Sequence, residues 1–254
     1  MKFLDNKYDL VILLGVIPSI DEPVLLQELQ ESSAKVVHMT PFEDAALKCE
    51  LLCRYEAGSE EGVVAILSKT LCMNLPLEFE DYFESLDEGY LSAETNIGED
   101  EFEEILEMYE EAKSAVFIIA EDLLYHDRSK NINKFLKILK EFTKLEVISL
   151  SSHDFESSLS VPQEVEDLKS FDGTVVLQYK SKDNLEKLIG SKQFSVAAKS
   201  QNNQKVNVYI EDKVEERIFE VDEKLKGTIA LMPVKDENLS YRYKVAKITK
   251  REVQ

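Results

Sequence analysis

Two uninterrupted runs of apolar residues most limit the fold of this chain. They are residues 10–14, Leu-Val-Ile-Leu-Leu, and residues 114–120, Ser-Ala-Val-Phe-Ile-Ile-Ala. Strands without alternation of apolar and polar residues are typical of parallel sheets buried on both faces. Residues 34–39 and 145–150 supply two further apolar strands, and helical patterns separate the four. We therefore predict an α/β domain with a doubly wound, mostly parallel sheet over residues 1–150.

The pattern changes after residue 151. A polar connector leads into residues 164–254, where short apolar strands alternate with turn residues such as Asn, Asp and Gly. This alternation predicts a small β-rich C-terminal domain. Within it, residues 182–189 have a helical pattern, whereas residues 194–198 have the composition of a strand. Upstream, residues 41–53 are predicted to form a loop and a short helix.

Residues 78–111 form an acidic insertion in the first domain. They hold fifteen Asp or Glu and no Lys or Arg, whereas the other 220 residues hold 35 acidic and 30 basic residues. A helix is predicted over residues 99–113, with mostly carboxylates on its outer faces. These carboxylates are either a docking surface for a basic partner or a solvated face that aids solubility. The docking candidates are Glu99, Asp100, Glu101, Glu103, Glu104 and Glu107.

Composition and cysteine spacing exclude several classes of function. The formal net charge of -20 disfavours nucleic acid as a partner, and no apolar run is long enough to cross a bilayer. The three cysteines, Cys49, Cys53 and Cys72, form no CxxC pair, which argues against a disulfide framework and fits a reducing cytoplasm. They also lack the spacing of zinc or iron-sulfur ligands. We therefore expect no metal and no cofactor.

Ligands of doubly wound folds bind in a crevice at the carboxyl ends of the strands. The residues expected there are Gly15, Pro18, Gly58, Ser59, Glu121 and His126. Neither a GxGxxG nor a Walker A sequence is present, so the usual phosphate loops are missing. Ser59 is placed to cap the following helix. Asp122 and His126 are four residues apart and form either an acid/base pair, part of a metal site, or a helix cap with a structural histidine.

Several segments together resemble a known family. They are residues 10–26 (LVILLGVIPSIDEPVLL), 36–44 (VVHMTPFED), 55–67 (YEAGSEEGVVAIL), 86–99 (LDEGYLSAETNIGE) and 117–132 (FIIAEDLLYHDRSKNI). In this order they are similar to the large G subunits of bacterial NADH:quinone oxidoreductase, respiratory complex I, within the molybdopterin-oxidoreductase superfamily. The resemblance covers residues 8–150. The family's iron-sulfur cysteine motifs are missing here.

The resemblance implies a cluster-free, non-catalytic structural component of the oxidoreductase peripheral arm. Its partners would be the other subunits of that arm, and it would support electron transfer from NADH to quinone. It would be cytoplasmic and peripheral to the inner membrane through the complex. The alternative is a soluble nucleotide- or pterin-binding enzyme that uses the strand-end crevice, with Glu121, Asp122 and His126 as its polar groups.

Overall fold

The chain is divided into two compact units, residues 1–169 and 170–254. The computed structural model describes residues 3–4, 7–151, 158–165, 167–168, 171–235 and 240–251. Most of the polar connector after residue 151 thus belongs to the first unit. His153 lies outside the described residues.

The first unit is built on a five-stranded, all-parallel sheet, as predicted. Its strands are β1 (Leu10–Leu14), β2 (Lys35–Met39), β3 (Leu51–Cys53), β4 (Ala115–Ile119) and β5 (Leu145–Ser149), in the order β3-β2-β1-β4-β5. Every residue of β1 and β4 is buried, because helices cover both faces of a parallel sheet. The helix predicted within residues 41–53 is wrong: that segment is irregular and ends in β3, whose three residues are too few to show a pattern.

Eight helices surround this sheet in the described part of the first unit. They are α1 (Pro18–Asp21), α2 (Pro23–Glu31), α3 (Glu60–Leu71), α4 (Leu77–Glu84), α5 (Glu88–Thr95), α6 (Glu99–Glu111), α7 (Asp122–Tyr125) and α8 (Ser129–Phe142). The acidic insertion is helical, as predicted, and consists of α4, α5 and α6. It lies between β3 and β4 in the sequence, and therefore after the third strand.

The predicted helix over residues 99–113 is α6, and local signals explain its start. The carboxylate of Glu101 accepts the backbone N–H of Gly98 at 2.9 Å, which is the one half of a capping box that a glycine at the N-cap permits. Glu99 and Asp100 place further negative charge in the first turn, which the helix dipole favours. One face, with Phe102 and Ile105 at its centre, is buried in the core. The opposite face carries the exposed carboxylates.

The second unit contains a seven-stranded curled sheet and one helix among its described residues. The elements are β6 (Val175–Lys180), β7 (Lys187–Gly190), α9 (Lys192–Ala197), β8 (Gln204–Ile210), β9 (Lys213–Val221), β10 (Ile229–Val234), β11 (Tyr243–Val245) and β12 (Lys247–Lys250). The strand order is β11-β6-β10-β7-β9-β8-β12. The pairs β6/β10 and β7/β9 are parallel and the others antiparallel. The predicted β-rich architecture is confirmed.

Two local predictions in this unit are wrong. Residues 182–189 do not form a helix, because their second half pairs with β9 and β10 as strand β7. Residues 194–198 do not form a strand, because the hydroxyl of Ser191 accepts the N–H of Phe194 at 3.0 Å and starts α9. Long-range strand pairing and a single capping residue decide these two short segments.

Candidate functional site

The strand-end crevice of the first unit is filled by the protein's own side chains. Gly15, which follows β1, has φ +70, a conformation that glycine adopts at low cost. A Cβ at this position would lie 3.1 Å from the hydroxyl oxygen of Tyr55 and 3.2 Å from the Cβ of Ala120. Leu123, at 3.7 Å, closes the same space, and all three neighbours are buried. At the carboxyl ends of the paired strands β1 and β4, even the Cβ of an alanine at position 15 would therefore crowd its buried neighbours.

The turn after β1 is held by hydrogen bonds within the chain. Pro18 is buried at the start of α1, and the carboxylate of Asp21 accepts the N–H of Ile17 at 2.8 Å. The His38 ring at the end of β2 lies with Nε2 2.8 Å from the carbonyl oxygen of Val16. That oxygen can only accept, so Nε2 carries the proton. Burial lowers the pKa of His38, which keeps this ring neutral.

His126 joins two loops through hydrogen bonds to their backbones. Its Nε2 lies 3.0 Å from the carbonyl oxygen of Gly58 and donates to it, while Nδ1 accepts the backbone N–H of Arg128 at 3.0 Å. Glu60 approaches the same Nε2 at 3.5 Å. Both ring nitrogens are thus engaged with the backbone, which fixes the tautomer. This geometry suits a structural histidine, one of the roles the sequence left open.

The remaining predicted crevice residues do not form a phosphate site. Ser59 precedes α3, but its hydroxyl donates to the carbonyl of Glu56 at 2.7 Å and caps no N–H of α3, so the predicted cap is wrong. Glu60 and Glu61 begin α3 and are each 1% exposed, so negative charge already lies at this helix terminus. Glu121 is half-buried and accepts the hydroxyl of Tyr125 at 3.2 Å. A second negative group is electrostatically unfavourable here.

Sequence reasoning missed a buried polar cluster centred on Glu61. The Nε of Arg128 lies 3.0 Å from both carboxylate oxygens of Glu61, and the side-chain amide of Asn131 donates to it at 2.6 Å. Buried charges are tolerated when they are paired and hydrogen-bonded in this way. The available signal was that Glu61 and Asn131 each stand among the apolar positions of their helices, α3 and α8.

The Glu61 cluster holds an irregular stretch of backbone, which we call the anchored segment (residues 158–168, with 166 outside the described residues). The Asn131 amide donates to the carbonyl of Gln163 at 3.0 Å and accepts its N–H at 2.6 Å. Arg128 donates to the carbonyl of Glu164 at 2.8 Å. Because every one of these bonds is to backbone, the cluster fixes the path of the main chain and does not depend on the side chains of the segment.

Further contacts fix the anchored segment along its length. The Tyr82 hydroxyl donates to the carbonyl of Gln163 at 2.7 Å, and the Lys134 ammonium donates to that of Val161 at 3.0 Å. Leu168 packs against α3 where Gly62 leaves space, since a Cβ on Gly62 would lie 2.8 Å from Leu168 Cδ1. The segment is therefore part of the first unit's packed surface.

Most docking candidates on α6 are exposed, with one exception. Glu99, Asp100, Glu103, Glu104 and Glu107 are all exposed to solvent. Glu101 is half-buried, because its carboxylate turns back to cap α6. Across the described part of the chain, two of the fifteen insertion carboxylates have ion-pair partners: Glu88 with Lys69, and Glu111 with Lys35. The insertion thus presents a strongly negative surface.

The cysteines are placed for packing rather than for reactivity or metal binding. Burial raises the pKa of both Cys53 and Cys72 to about 12. Cys49 is half-buried, and burial raises its pKa as well. Within the described ranges no three His, Cys, Asp or Glu side chains come together in a way that could hold a metal ion.

Comparison with known proteins does not assign the chain to a family. No protein-family model matches it, and no curated protein matches it. Among the described residues, none of the helices combines the length and apolar character needed to span a bilayer.

Proposed function

We propose that this chain is a non-catalytic interaction subunit of the peripheral arm of an NADH:quinone oxidoreductase. In this role it supports electron transfer from NADH to quinone by holding neighbouring subunits, while redox centres elsewhere carry the electrons. The complex would keep it on the cytoplasmic side, peripheral to the inner membrane. The resemblance of residues 8–150 to the large G subunits motivates the proposal, and the packed crevice is the observation that carries it.

The packed crevice supports a structural role because a ligand would have to displace core side chains. Tyr55 and Leu123 are 3% and 0% exposed, and they occupy the space beside Gly15 where a nucleotide or pterin would lie. The nearby polar groups are engaged as well, since His38 and His126 both bind backbone carbonyls. A site meant for ligands normally keeps an open cleft with polar groups directed into it.

The exposed carboxylates of the insertion support the second half of the proposal, which is docking to a basic partner. Eleven of the fifteen remain after the two ion-paired residues and the two helix-capping residues, Asp87 and Glu101, are set aside. Such a field accelerates encounter with a positively charged surface and favours the correct partner. A chain that needed charge only for solubility would not require it to be concentrated in 34 residues.

The docking surface is tested by charge reversal at positions that do not support the fold. The Glu103→Lys/Glu107→Lys variant changes two exposed residues of α6 and spares Glu101, whose capping role would confuse the result. We expect the variant to fold normally and to lose most of its co-purification with the peripheral arm. The control is Asp183→Lys/Asp212→Lys, which makes the same change of charge at exposed positions of the second unit and should co-purify like the unmodified chain.

Two results would count against docking through α6. One is undiminished co-purification of the α6 variant. The other is an equal loss in the control, which would mean that overall charge matters and that the position of the charge does not. Circular dichroism spectra of both variants establish that folding is intact before the comparison is made.

The rival function, a soluble nucleotide- or pterin-binding enzyme, requires the crevice to open. Glu121, Asp122 and His126 would be its polar groups, but the engaged ring of His126 does not favour this role. A thermal-shift screen with nucleosides and unphosphorylated pterins, which carry no phosphate or carboxylate group, separates the two functions. We expect no increase in melting temperature, and a clear increase that saturates with ligand would favour the enzyme.

A further inference from the structure

The second unit contains a cavity of about 440 Å³ on the inner face of its curled sheet. Its floor includes the apolar side chains of Val208 and Val234. Its charged lining comes chiefly from β9 and from the segment that leads into β11, and includes Arg217 and Arg242. The volume lies within the range of pockets that hold small molecules, about 300–1,000 Å³.

Strand register places charged residues of β9 where the core would normally continue. Side chains of a strand alternate between faces, so Lys213, Glu215 and Arg217 share the face of Phe219, which is fully buried in the unit's core. Their partners on β8 point the same way: Arg217 pairs with Val206, a fully buried residue. The core-facing side chains of a strand are normally apolar, and β9 departs from this pattern. Such departures are concentrated at functional sites.

The charges that line the cavity are mostly positive. Among the described lining residues there are five cations, Lys213, Arg217, Lys235, Arg242 and Lys244, against two carboxylates, Glu211 and Glu215. The imbalance is three positive charges around a partly enclosed space. Binding of an anion in such a space is strongly favoured, because the low-dielectric protein around it weakens the screening of charge by solvent.

Arg217 has hydrogen-bonding capacity that the described residues do not use. Its side chain is 11% exposed, one terminal nitrogen pairs with Glu215, and the other donates to the carbonyl of Glu216 at 3.1 Å. Its Nε is buried and has no hydrogen-bond partner among the described residues. A guanidinium offers five N–H donors in a planar arrangement, and a buried donor left without an acceptor is costly.

We infer that this cavity binds a small, multiply charged oxyanion, either a phosphate group or a molecule with two or three carboxylates. Both present several acceptor oxygens that match the fork of an arginine side chain. Multiple charge is indicated because the five cations of the lining outnumber its two carboxylates by three. A molecule larger than free phosphate is accommodated, and the apolar floor would contact its carbon skeleton.

Isothermal titration calorimetry of the full chain at constant ionic strength tests this site. The probes are inorganic phosphate, adenosine monophosphate and citrate, which distinguish free phosphate, a phosphate ester and a tricarboxylate. We expect saturable 1:1 binding of at least one probe. The Arg217→Gln variant should bind it about 10-fold more weakly or worse, since a charge-assisted hydrogen bond is lost. The matched control is Arg251→Gln, because Arg251 pairs with Glu216 and does not line the cavity.

A second variant protects the test against misfolding of the first. Lys213→Gln/Lys244→Gln removes two less buried charges of the lining and should also weaken binding. The absence of saturable binding for all three probes would overturn the inference. Equal loss in Arg251→Gln would do the same.

Discussion

At the scale of single residues, the most informative position is Glu61. It is 1% exposed, and its partners Arg128 and Asn131 come from α8 and the residue before it, so one carboxylate joins two helices. The sequence predicted neither the burial nor the pairing, because two adjacent glutamates at a helix start are also common on surfaces. The burial depends on how α3 and α8 meet, which no local pattern encodes.

Removal of this carboxylate should destabilise the first unit. Glu61→Ala removes the carboxylate that Arg128 and Asn131 share, and we expect the free energy of unfolding to fall by about 2–4 kcal/mol. The control Glu84→Ala changes an exposed carboxylate of α4 and should stay within about 0.5 kcal/mol. Urea denaturation measures both, and similar values for the two variants would mean that the cluster contributes little.

The cysteines give a pH-dependent prediction at the same scale. The thiolate is the reactive form, and a pKa of about 12 for Cys53 and Cys72 leaves roughly one thiol in ten thousand ionised at pH 8. Both should therefore react slowly with iodoacetamide in the folded chain and quickly in urea. Fast reaction of Cys53 or Cys72 in the native protein at pH 8 would contradict their burial.

The same shift links stability to pH. In the unfolded chain these thiols titrate near the ordinary cysteine pKa of 9.0, and in the folded chain near 12, so the unfolded state loses its protons first. The contribution of these two thiols to the free energy of unfolding is fully present below about pH 9. It is lost as the pH rises toward 12, because ionisation of the exposed thiols then stabilises the unfolded state. Replacement of both residues by alanine should remove this part of the alkaline decline in the free energy of unfolding.

At the scale of secondary-structure elements, the sequence predicts long, strongly patterned segments and fails on short ones. Strands β1 and β4 were predicted because five consecutive apolar residues fit a two-sided buried strand. Strand β3 has three residues, and β7 is a strand because of its partners β9 and β10. Helix α9 depends on Ser191, whose capping role competes with the strand-like composition of residues 194–198. In each failure, a tertiary contact or a single hydrogen bond outweighs local propensity.

The anchored segment combines the end of the predicted polar connector with the first residues of the predicted C-terminal domain. Its conformation depends on Asn131, which bonds both the N–H and the carbonyl of Gln163. Asn131→Ala should therefore increase amide hydrogen exchange at Gln163 by about 10-fold, the equivalent of one lost hydrogen bond. Lys130→Ala, an exposed change on the same helix, should leave this exchange unchanged. Unaltered exchange in Asn131→Ala would show that other contacts hold the segment.

At the scale of the whole molecule, the distribution of charge is the main feature. The insertion carries fifteen negative charges, whereas the rest of the chain is close to neutral. The fold class was predictable from the apolar strands and the change of pattern after residue 151. The closed crevice and the positive cavity of the second unit were not, because each depends on side chains that come together from distant parts of the sequence.

The central claim is that this chain works within an oxidoreductase assembly, and native purification tests it most directly. The tagged chain, expressed in its own cells, is purified at low ionic strength, and co-purifying proteins are identified by mass spectrometry. The account predicts peripheral-arm subunits of NADH:quinone oxidoreductase, in amounts that decrease as salt is raised, since salt screens the insertion. Purification of the chain alone, or with partners unrelated to that enzyme, would contradict it.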